Sequence, residues 1–133
     1  MLNLQQDIAQ LADAAIDAFE PGNASEERVQ ALRHFFPDSL IIASFDLIDR
    51  GCVNKYVAPW RTVAYRVAGS TDRYAVTTDP PFCSCPAFAY GVLISGTHSL
   101  CKHVLAVRLA ERLDKCREFK TSAEEFFAMI VAD

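Results

Sequence analysis

Apolar residues recur every three or four positions along the first third of the chain, a spacing that predicts helices. The first stripe covers residues 4–19 and consists of Leu4, Ile8, Leu11, Ala15, Ile16 and Phe19. It stops at Pro21-Gly22, because neither residue continues a helix. A second helix is expected after Ser25, whose hydroxyl can cap the first turn, and it ends before Pro37.

A third apolar segment, residues 40–48, has the length and density of either a short helix or a buried strand. We expect a helix, because Arg50-Gly51 follows it as a stop. Asp38 or Ser39 is the expected residue at its N-cap.

The pattern changes in the middle of the chain. Positions 52–79 are rich in β-branched and aromatic residues and are interrupted twice by turn-forming residues, which predicts three short antiparallel strands. Tyr65 and Val67 alternate with Arg66, as expected for a sheet with one buried and one solvated face.

Further helices are expected in the last third of the chain. A short one runs from Pro86 to Ile94, a longer one covers residues 101–115, and the last begins at Thr121 with Ser122 as its cap. The apolar face of the last helix, like that of the first, belongs to the core or, if it is left unburied, to a partner surface.

Four residues in this last third have side chains that bind metals. Cys83-Ser-Cys85 is followed after fifteen residues by Cys101-Lys-His103, so the chain reads C-x-C-x15-C-x-H. Three thiolates and one imidazole are a full ligand set for one tetrahedral zinc ion, and a site without an open position is structural rather than catalytic. We therefore assign Cys83, Cys85, Cys101 and His103 to one structural Zn²⁺.

The local sequence favours both ligand pairs. Pro86 suits the first position of a helix directly after Cys85. Cys101 begins an apolar helical run, where free N–H groups and the positive helix end favour thiolate over thiol. The alternative, four buried thiols that pack as small apolar groups, explains neither the two spaced pairs nor a histidine as the last member.

Length and composition suit one domain. The chain has 133 residues and is 51% hydrophobic, enough for an ordinary core. Within it we distinguish a helical segment, residues 1–49, from a zinc-finger region, residues 50–133. The expected fold class is α+β, with N-terminal helices, a small three-stranded antiparallel sheet, the zinc finger and C-terminal helices.

Cysteine use and the N-terminal residues indicate a reducing compartment. Three of the five cysteines are assigned to the metal, which leaves Cys52 and Cys116 as expected core thiols. Residues 1–20 contain four acids and neither Lys nor Arg, so we expect no secretory signal. The apolar stretches are too short to span a bilayer. The cytosol or the nucleus is therefore expected.

The net charge of −4 is unevenly distributed. Residues 1–49 hold nine acids and two bases, whereas residues 50–82 hold five bases and two acids. An acidic chain is a poor autonomous nucleic-acid binder, because basic side chains supply most of the affinity for phosphates. The middle segment could still offer a modest basic face, although a solvated strand face is the simpler interpretation.

The tracts around the two ligand pairs resemble a known module. Cys83-Ser-Cys85-Pro86-Ala87-Phe88 and Leu100-Cys101-Lys102-His103-Val104-Leu105-Ala106 are similar to the SWIM zinc finger, a C-x-C…C-x-H site on a small hairpin and a helix. More narrowly, the chain resembles the SWIM-domain subunit of the Shu complex, a eukaryotic homologous-recombination factor. The resemblance spans about residues 40–131 and does not include the first 38 residues.

The resemblance implies a non-enzymatic, zinc-binding subunit whose partner is a RecA-like recombinase paralogue, in a heterodimer or a larger complex. Such complexes promote assembly and stability of the recombinase filament on single-stranded DNA during DNA repair and meiosis, in the nucleus. Single-stranded DNA is expected to be contacted through the paralogue. Neither a membrane nor a small-molecule substrate is expected.

Two other functions fit part of the pattern. One is a stand-alone zinc finger that binds single-stranded DNA through Arg50, Lys55, Arg61, Arg66 and Arg73. The other is an adaptor in a different SWIM-type assembly, although such proteins are usually much longer. We expect no enzyme, because the four ligands leave zinc no open position and the chain lacks a G-x-x-x-x-G-K-[ST] phosphate loop.

Several single residues outside the ligand set have alternative interpretations. His98 lies close to the second ligand pair and could compete as a ligand, although a solvated loop histidine is simpler; His34 is expected on a helix surface. Lys102, between two ligands, is either solvated or offsets the negative charge of the zinc site. Trp60 and Arg61 at a hairpin tip could stack on bases or anchor a protein interface, unless Trp60 packs against the sheet.

Overall fold

The computed structural model describes residues 4–22, 24–69, 71–78, 81–88 and 100–131. The helices are α1 (Leu4–Asp17), α2 (Glu26–Arg33), α3 (Asp38–Asp49), α4 (Pro86–Phe88), α5 (Lys102–Leu113) and α6 (Ala123–Val131). The strands are β1 (Val53–Val57), β2 (Val63–Ala68), β3 (Arg73–Thr78), β4 (Pro81–Cys83) and β5 (Arg117–Lys120). The fold is thus the predicted α+β class. Within the described ranges, none of the helices combines the length and apolar character needed to cross a bilayer.

The strands form one sheet in the order β4-β3-β2-β1-β5. β1, β2, β3 and β4 are successive antiparallel neighbours, and β5 lies parallel to β1 with Phe119 opposite Tyr56. The three predicted strands are therefore confirmed. The sheet has five strands rather than the expected three, because β4 and β5 were not predicted. β4 has three residues, and all four residues of β5 are exposed, so neither shows the alternation that identifies a strand.

Helix α5 forms the centre of the core by packing against one face of this sheet. Its buried apolar residues are Val104, Leu105, Ala106, Val107, Leu109, Ala110 and Leu113. The sheet contributes Val53, Val67 and Val76 from the three central strands. Complete burial of one large apolar side chain stabilises a fold by about 1.5–3 kcal/mol, so α5 is a dominant source of stability.

The N-terminal helices cover the other side of α5. Ser44 of α3 is fully buried, and its Oγ lies 3.1 Å from the carbonyl oxygen of Lys102 at the start of α5. Arg108 of α5 pairs with two carboxylates of α1, at 2.6 Å from Asp13 and 3.5 Å from Asp17. These contacts hold α1 and α3 on the helix that carries two of the predicted zinc ligands.

Two predicted helix caps are confirmed. Ser25 Oγ accepts a hydrogen bond from the backbone N–H of Arg28 at 3.4 Å. Ser122 Oγ accepts from the N–H of Glu125 at 3.1 Å, and the Glu125 carboxylate accepts from the N–H of Ser122 at 3.2 Å. This reciprocal pair is a capping box, which sets the start of α6.

The ambiguous segment after Pro37 is helical, as expected, but its predicted cap is wrong. Pro37 occupies the N-cap position of α3, and neither Asp38 nor Ser39 caps the helix. The carboxylate of Asp38 instead accepts two hydrogen bonds from the Arg33 guanidinium, at 2.8 and 3.0 Å. The side chain that was expected to cap the helix is therefore used to join α2 to α3.

The apolar stripe of α1 is only partly buried. Ile16 is fully buried, as is Phe19 just beyond the helix, whereas Ile8 and Leu11 are exposed. The stripe therefore belongs to the core at its C-terminal end only.

Helix α6 lies on the face of the sheet opposite α5. The Arg66 guanidinium donates a hydrogen bond to the Met129 carbonyl oxygen, and the rings of Trp60 and Phe126 meet edge to face at 5.7 Å. Phe126 is buried by these contacts. The face that carries Arg66 is thus partly covered, which corrects the expectation of a fully solvated face.

Candidate metal centre

Packing of α5 against β4 brings the two ligand pairs together. Cys83 ends β4 and Cys85 precedes α4, while Cys101 is the N-cap residue of α5 and His103 lies in its first turn. All four side chains are buried. The two pairs are sixteen or more positions apart in sequence but share one pocket of the core, as the motif predicted.

The ligand atoms have the spacing of a tetrahedral site. They all lie within 4.8 Å of one another, with Cys83 Sγ 3.6 Å and Cys101 Sγ 3.9 Å from His103 Nδ1. A tetrahedral zinc ion with bonds of about 2.3 Å to sulfur and about 2.0 Å to nitrogen separates these ligand atoms by about 3.6 Å. The donor set, its spacing and its burial fit one structural Zn²⁺.

Backbone N–H groups point at the three sulfur atoms. Cys85 donates to Cys83 Sγ, Phe88 donates to Cys85 Sγ at 3.3 Å, and Val104 donates to Cys101 Sγ. Hydrogen bonds of this kind stabilise thiolate over thiol and orient the ligand before the metal binds. The sharp turn after Cys83 and the start of α5 therefore serve the site chemically as well as sterically.

The three thiols differ in acidity. A hydrogen bond from the Cys83 thiol, with further help from His103, lowers the pKa of Cys101 to about 4 despite its burial. The same bond, together with burial, raises the pKa of Cys83. Burial also raises the pKa of Cys85. Without metal the cluster therefore carries one thiolate, and zinc must displace protons from the other two sulfurs.

Two residues that support the site were not identified from the sequence. Ser84, between the first two ligands, donates its N–H to the Ala75 carbonyl oxygen at 3.0 Å and accepts the Ala75 N–H on Oγ at 3.0 Å. The ring of Tyr74 packs on the imidazole of His103, with 4.6 Å between centroids. Tyr74 lies on β3 and Ser84 is bonded to it, and only the strand pairing shows that both residues support the metal site.

Neither Lys102 nor His34 joins the ligands. Lys102 is exposed in the first turn of α5, and His34 is exposed at the end of α2. His98 and residues 89–94 of the predicted short helix lie outside the described residues, and the helix is seen from Pro86 to Phe88.

The two remaining cysteines are half-buried against the core, Cys52 beside β1 and Cys116 beside β5. Cys116 donates to Oε1 of Glu111 at 3.6 Å. Burial, together with the negative charge of Glu111, raises the pKa of this thiol to about 12. The raised pKa favours the thiol form of Cys116, which is less nucleophilic than the thiolate.

The basic residues of the middle segment do not all lie on one face. Lys55 lies on the α5 side of the sheet, where its Nζ is 3.2 Å from Glu111 Oε1. Arg66 lies on the opposite side under α6, and Arg50 pairs with Asp46 at the end of α3 at 3.4 Å. The sheet thus divides the cations that the sequence places close together, since neighbouring residues of a strand point to opposite faces.

Comparisons with known proteins agree with this site. The SWIM zinc finger family matches residues 65–110, which include all four ligands. Zinc finger SWIM domain-containing protein 7 from Mus musculus is 31% identical over 124 residues, 92% of this chain and 81% of the mouse protein. The Homo sapiens protein of the same name is 30% identical over 124 residues, 92% of this chain and 88% of its own length.

A relative from a third organism shows a similar identity. The Dictyostelium discoideum homolog of that protein is 32% identical over 110 residues, 81% of this chain and 70% of its own length. No solved structure gives a significant match. Because the similarity covers most of both chains and includes the buried ligand set, the chain belongs to the family of zinc finger SWIM domain-containing protein 7.

Proposed function

We propose that this chain is a non-enzymatic, zinc-stabilised subunit of a Shu-type complex. In this proposal it pairs with a RecA-like recombinase paralogue and promotes assembly and stability of the recombinase filament on single-stranded DNA. The setting is homologous-recombination repair and meiosis, in the nucleus. The observation that carries the proposal is the buried set of three cysteines and one histidine within a SWIM finger whose family relatives align along most of the chain.

The closed zinc site supports a binding role rather than catalysis. Four protein ligands saturate a tetrahedral zinc ion, so no position is left for a water molecule or substrate. The metal instead joins β4 to the start of α5, which is the central helix of the core. In this proposal zinc maintains the shape of the subunit, and the partner supplies the ATP-dependent chemistry.

The charge distribution supports contact with DNA through the partner. The chain carries a net charge of −4, and Lys55 and Arg50 are each paired with a carboxylate. Affinity for phosphates comes mainly from unpaired basic side chains, and an overall negative charge opposes it. The paralogue is therefore the proposed site of single-stranded DNA binding.

Co-expression with a RecA-like paralogue from the same organism tests the proposal. We expect a complex that survives nuclease treatment and slows dissociation of the recombinase from single-stranded DNA. The zinc-ligand variant His103→Ala should lose both effects, whereas Cys52→Ala should keep them. Absence of a complex between the purified wild-type proteins would overturn the proposal.

One observation favours a second function, direct binding of single-stranded DNA. The Trp60 side chain is exposed beside Arg61, a combination that can stack on bases and contact phosphate. Fluorescence anisotropy with a labelled oligonucleotide and the chain alone tests it. Binding at low salt that weakens steeply as salt rises would favour this function, and it should be lost in Trp60→Ala.

A further inference from the structure

The β1–β2 hairpin tip and α6 share one continuous exposed apolar surface, called here the hairpin–α6 surface. It consists of Trp60, Phe127, Ile130 and Val131, which are 48%, 56%, 51% and 80% exposed. The rings of Trp60 and Phe127 lie 5.5 Å apart, and the three α6 residues are spaced so that they share a helix face. Contiguous apolar surface of this kind, in contrast to single exposed side chains, is typical of interaction sites.

A groove continues this surface along the sheet. It has a volume of about 500 Å³ and runs between α6 and the outer face of β2 and β3. Ala64 and Ala75 form part of its floor, and Met129 and Ile130 form its helix side. Ile130 therefore belongs to both the exposed surface and the groove. An apolar ridge beside a groove has the shape that accommodates a peptide segment.

Arg61 occupies a backbone conformation that favours glycine. Its φ is 72°, and its N–H donates to the Ala58 carbonyl oxygen at 2.9 Å to close the hairpin turn. A left-handed residue after such a turn is usually glycine, and a side chain with a Cβ costs about 1 kcal/mol there. Arg61 is exposed and forms no ion pair with any described residue. Backbone strain at an exposed cation next to Trp60 points to a use for the side chain outside the fold.

The charges beside this surface select the kind of partner. Arg61, Arg66 and Arg73 belong to the hairpin tip and the outer face of the sheet, and none of the described residues that line the groove is a carboxylate. A second copy of the chain would place arginines against arginines in a two-fold contact, which is unfavourable. Nucleic acid would match the arginines but would leave Ile130 and Val131 against a charged backbone. An acidic, apolar protein segment matches both features.

We infer that the hairpin–α6 surface docks an acidic, apolar segment of a protein partner. Trp60 and Phe127 act as the apolar anchors, and Arg61 pairs with a carboxylate of the segment. This inference rests on the proposed function, because it names the face with which the subunit meets its recombinase paralogue. Aromatic and arginine residues at the centre of an interface often supply most of its binding energy.

The left-handed conformation of Arg61 allows a test that separates binding from folding. Arg61→Gly removes the strain, so its unfolding temperature should stay the same or rise, while affinity for the purified RecA-like paralogue should fall about tenfold. Asp114→Gly is the matched control, because Asp114 also has a positive φ, 55°, and lies at the end of α5 on the other side of the sheet. It should relieve strain in the same way and leave affinity unchanged. Equal affinities of Arg61→Gly and wild type would overturn the inference.

A photo-crosslinking residue at position 127, introduced into the full chain in cells, gives a second readout that does not presuppose the paralogue. We expect a crosslink to a protein peptide that contains apolar and acidic residues. The crosslink should disappear with Arg61→Glu and return when the facing carboxylate of the partner is changed to lysine. Crosslinks to nucleic acid or to a second copy of the chain, or no crosslink, would overturn the inference.

The two readouts distinguish the inference from the proposed function. Suppose that the wild-type chain does not bind the paralogue, but that position 127 crosslinks to another protein. If that crosslink is lost with Arg61→Glu and restored when the facing carboxylate becomes lysine, the proposed partner is wrong and the docking surface stands. If the paralogue binds, but Arg61→Gly does not lower its affinity and Arg61→Glu does not remove the crosslink, the proposed partner stands and the assigned surface is wrong.

Discussion

Ser84 and Ala75 exchange two hydrogen bonds, each 3.0 Å long, at the point where the sheet meets the metal site. The N–H of Ser84 donates to the Ala75 carbonyl oxygen, and Ser84 Oγ accepts the N–H of Ala75. The residue between the first two zinc ligands is therefore attached to β3 by both its backbone and its side chain. This attachment fixes the turn from which Cys83 and Cys85 reach one ion.

Removal of the Ser84 hydroxyl should loosen this turn. We expect Ser84→Ala to lower the free energy of unfolding by about 1 kcal/mol, because one hydrogen bond to the backbone is lost, and to accelerate transfer of zinc to a chelator. Ser25→Ala is the control, since it also removes a hydroxyl bonded to the backbone, at a cost of about 1 kcal/mol, but at the start of α2. Equal rates of zinc transfer from the two variants would contradict a role for Ser84 at the metal.

Loss of one ligand should weaken zinc binding and destabilise the fold. His103→Ala leaves three sulfurs and a cavity in the core, so we expect less than one zinc per chain and a loss of about 3 kcal/mol or more in unfolding free energy. Metal analysis and thermal unfolding measure the two effects. Cys52→Ala is the matched control, because it removes a half-buried thiol outside the ligand set and should retain one zinc. A full zinc content in His103→Ala would show that the imidazole is not a ligand.

Zinc affinity should fall as the pH is lowered, because protons compete with zinc for the thiolates. The pKa values of Cys83 and Cys85 are raised in the metal-free site, whereas that of Cys101 is lowered to about 4. Near neutral pH, zinc binding should therefore release about two thiol protons, and affinity should rise about a hundredfold per pH unit. Calorimetry in two buffers with different ionisation enthalpies counts the protons. Release of three thiol protons would contradict the assignment of Cys101 as the thiolate of the metal-free state.

The ion pair between Arg108 and Asp13 should contribute modestly to docking of α1. Asp13 is largely exposed, so Asp13→Asn should cost about 0.5 kcal/mol at low salt and less at about 0.5 M salt. Denaturant unfolding at both salt concentrations measures the difference. In an Arg108→Met background the same Asp13→Asn change should have no effect, and an undiminished cost there would mean that Asp13 acts through another contact.

Much of the fold could be predicted from local pattern. Ser25 and Ser122 were identified as caps because a serine before a helical stripe satisfies free N–H groups within three residues of itself. The three central strands were identified from β-branched and aromatic residues. β5 could not be recognised in this way, since three of its four residues are charged, and its parallel pairing with β1 depends on the intervening α5 returning the chain to the same edge.

The positions of individual side chains in the middle segment also required the tertiary structure. Lys55 and Arg66 look equivalent in sequence as members of one basic segment, yet they lie on opposite faces of the sheet. Trp60 was expected either to pack on the sheet or to remain available to a partner. It packs instead on Phe126 and Phe127 of α6, and much of its side chain remains exposed.

The sequence by itself determined the metal chemistry, because ligand type and spacing limit which ion can bind, and C-x-C with C-x-H holds one tetrahedral zinc. It also determined most helices and the central strands, since these depend on local periodicity. Only the tertiary structure decided that Ser84 and Tyr74 support the zinc ligands and that Trp60 and Arg61 share a surface with α6. These relationships arise from strand register and from packing on both faces of one sheet, which local sequence pattern does not specify.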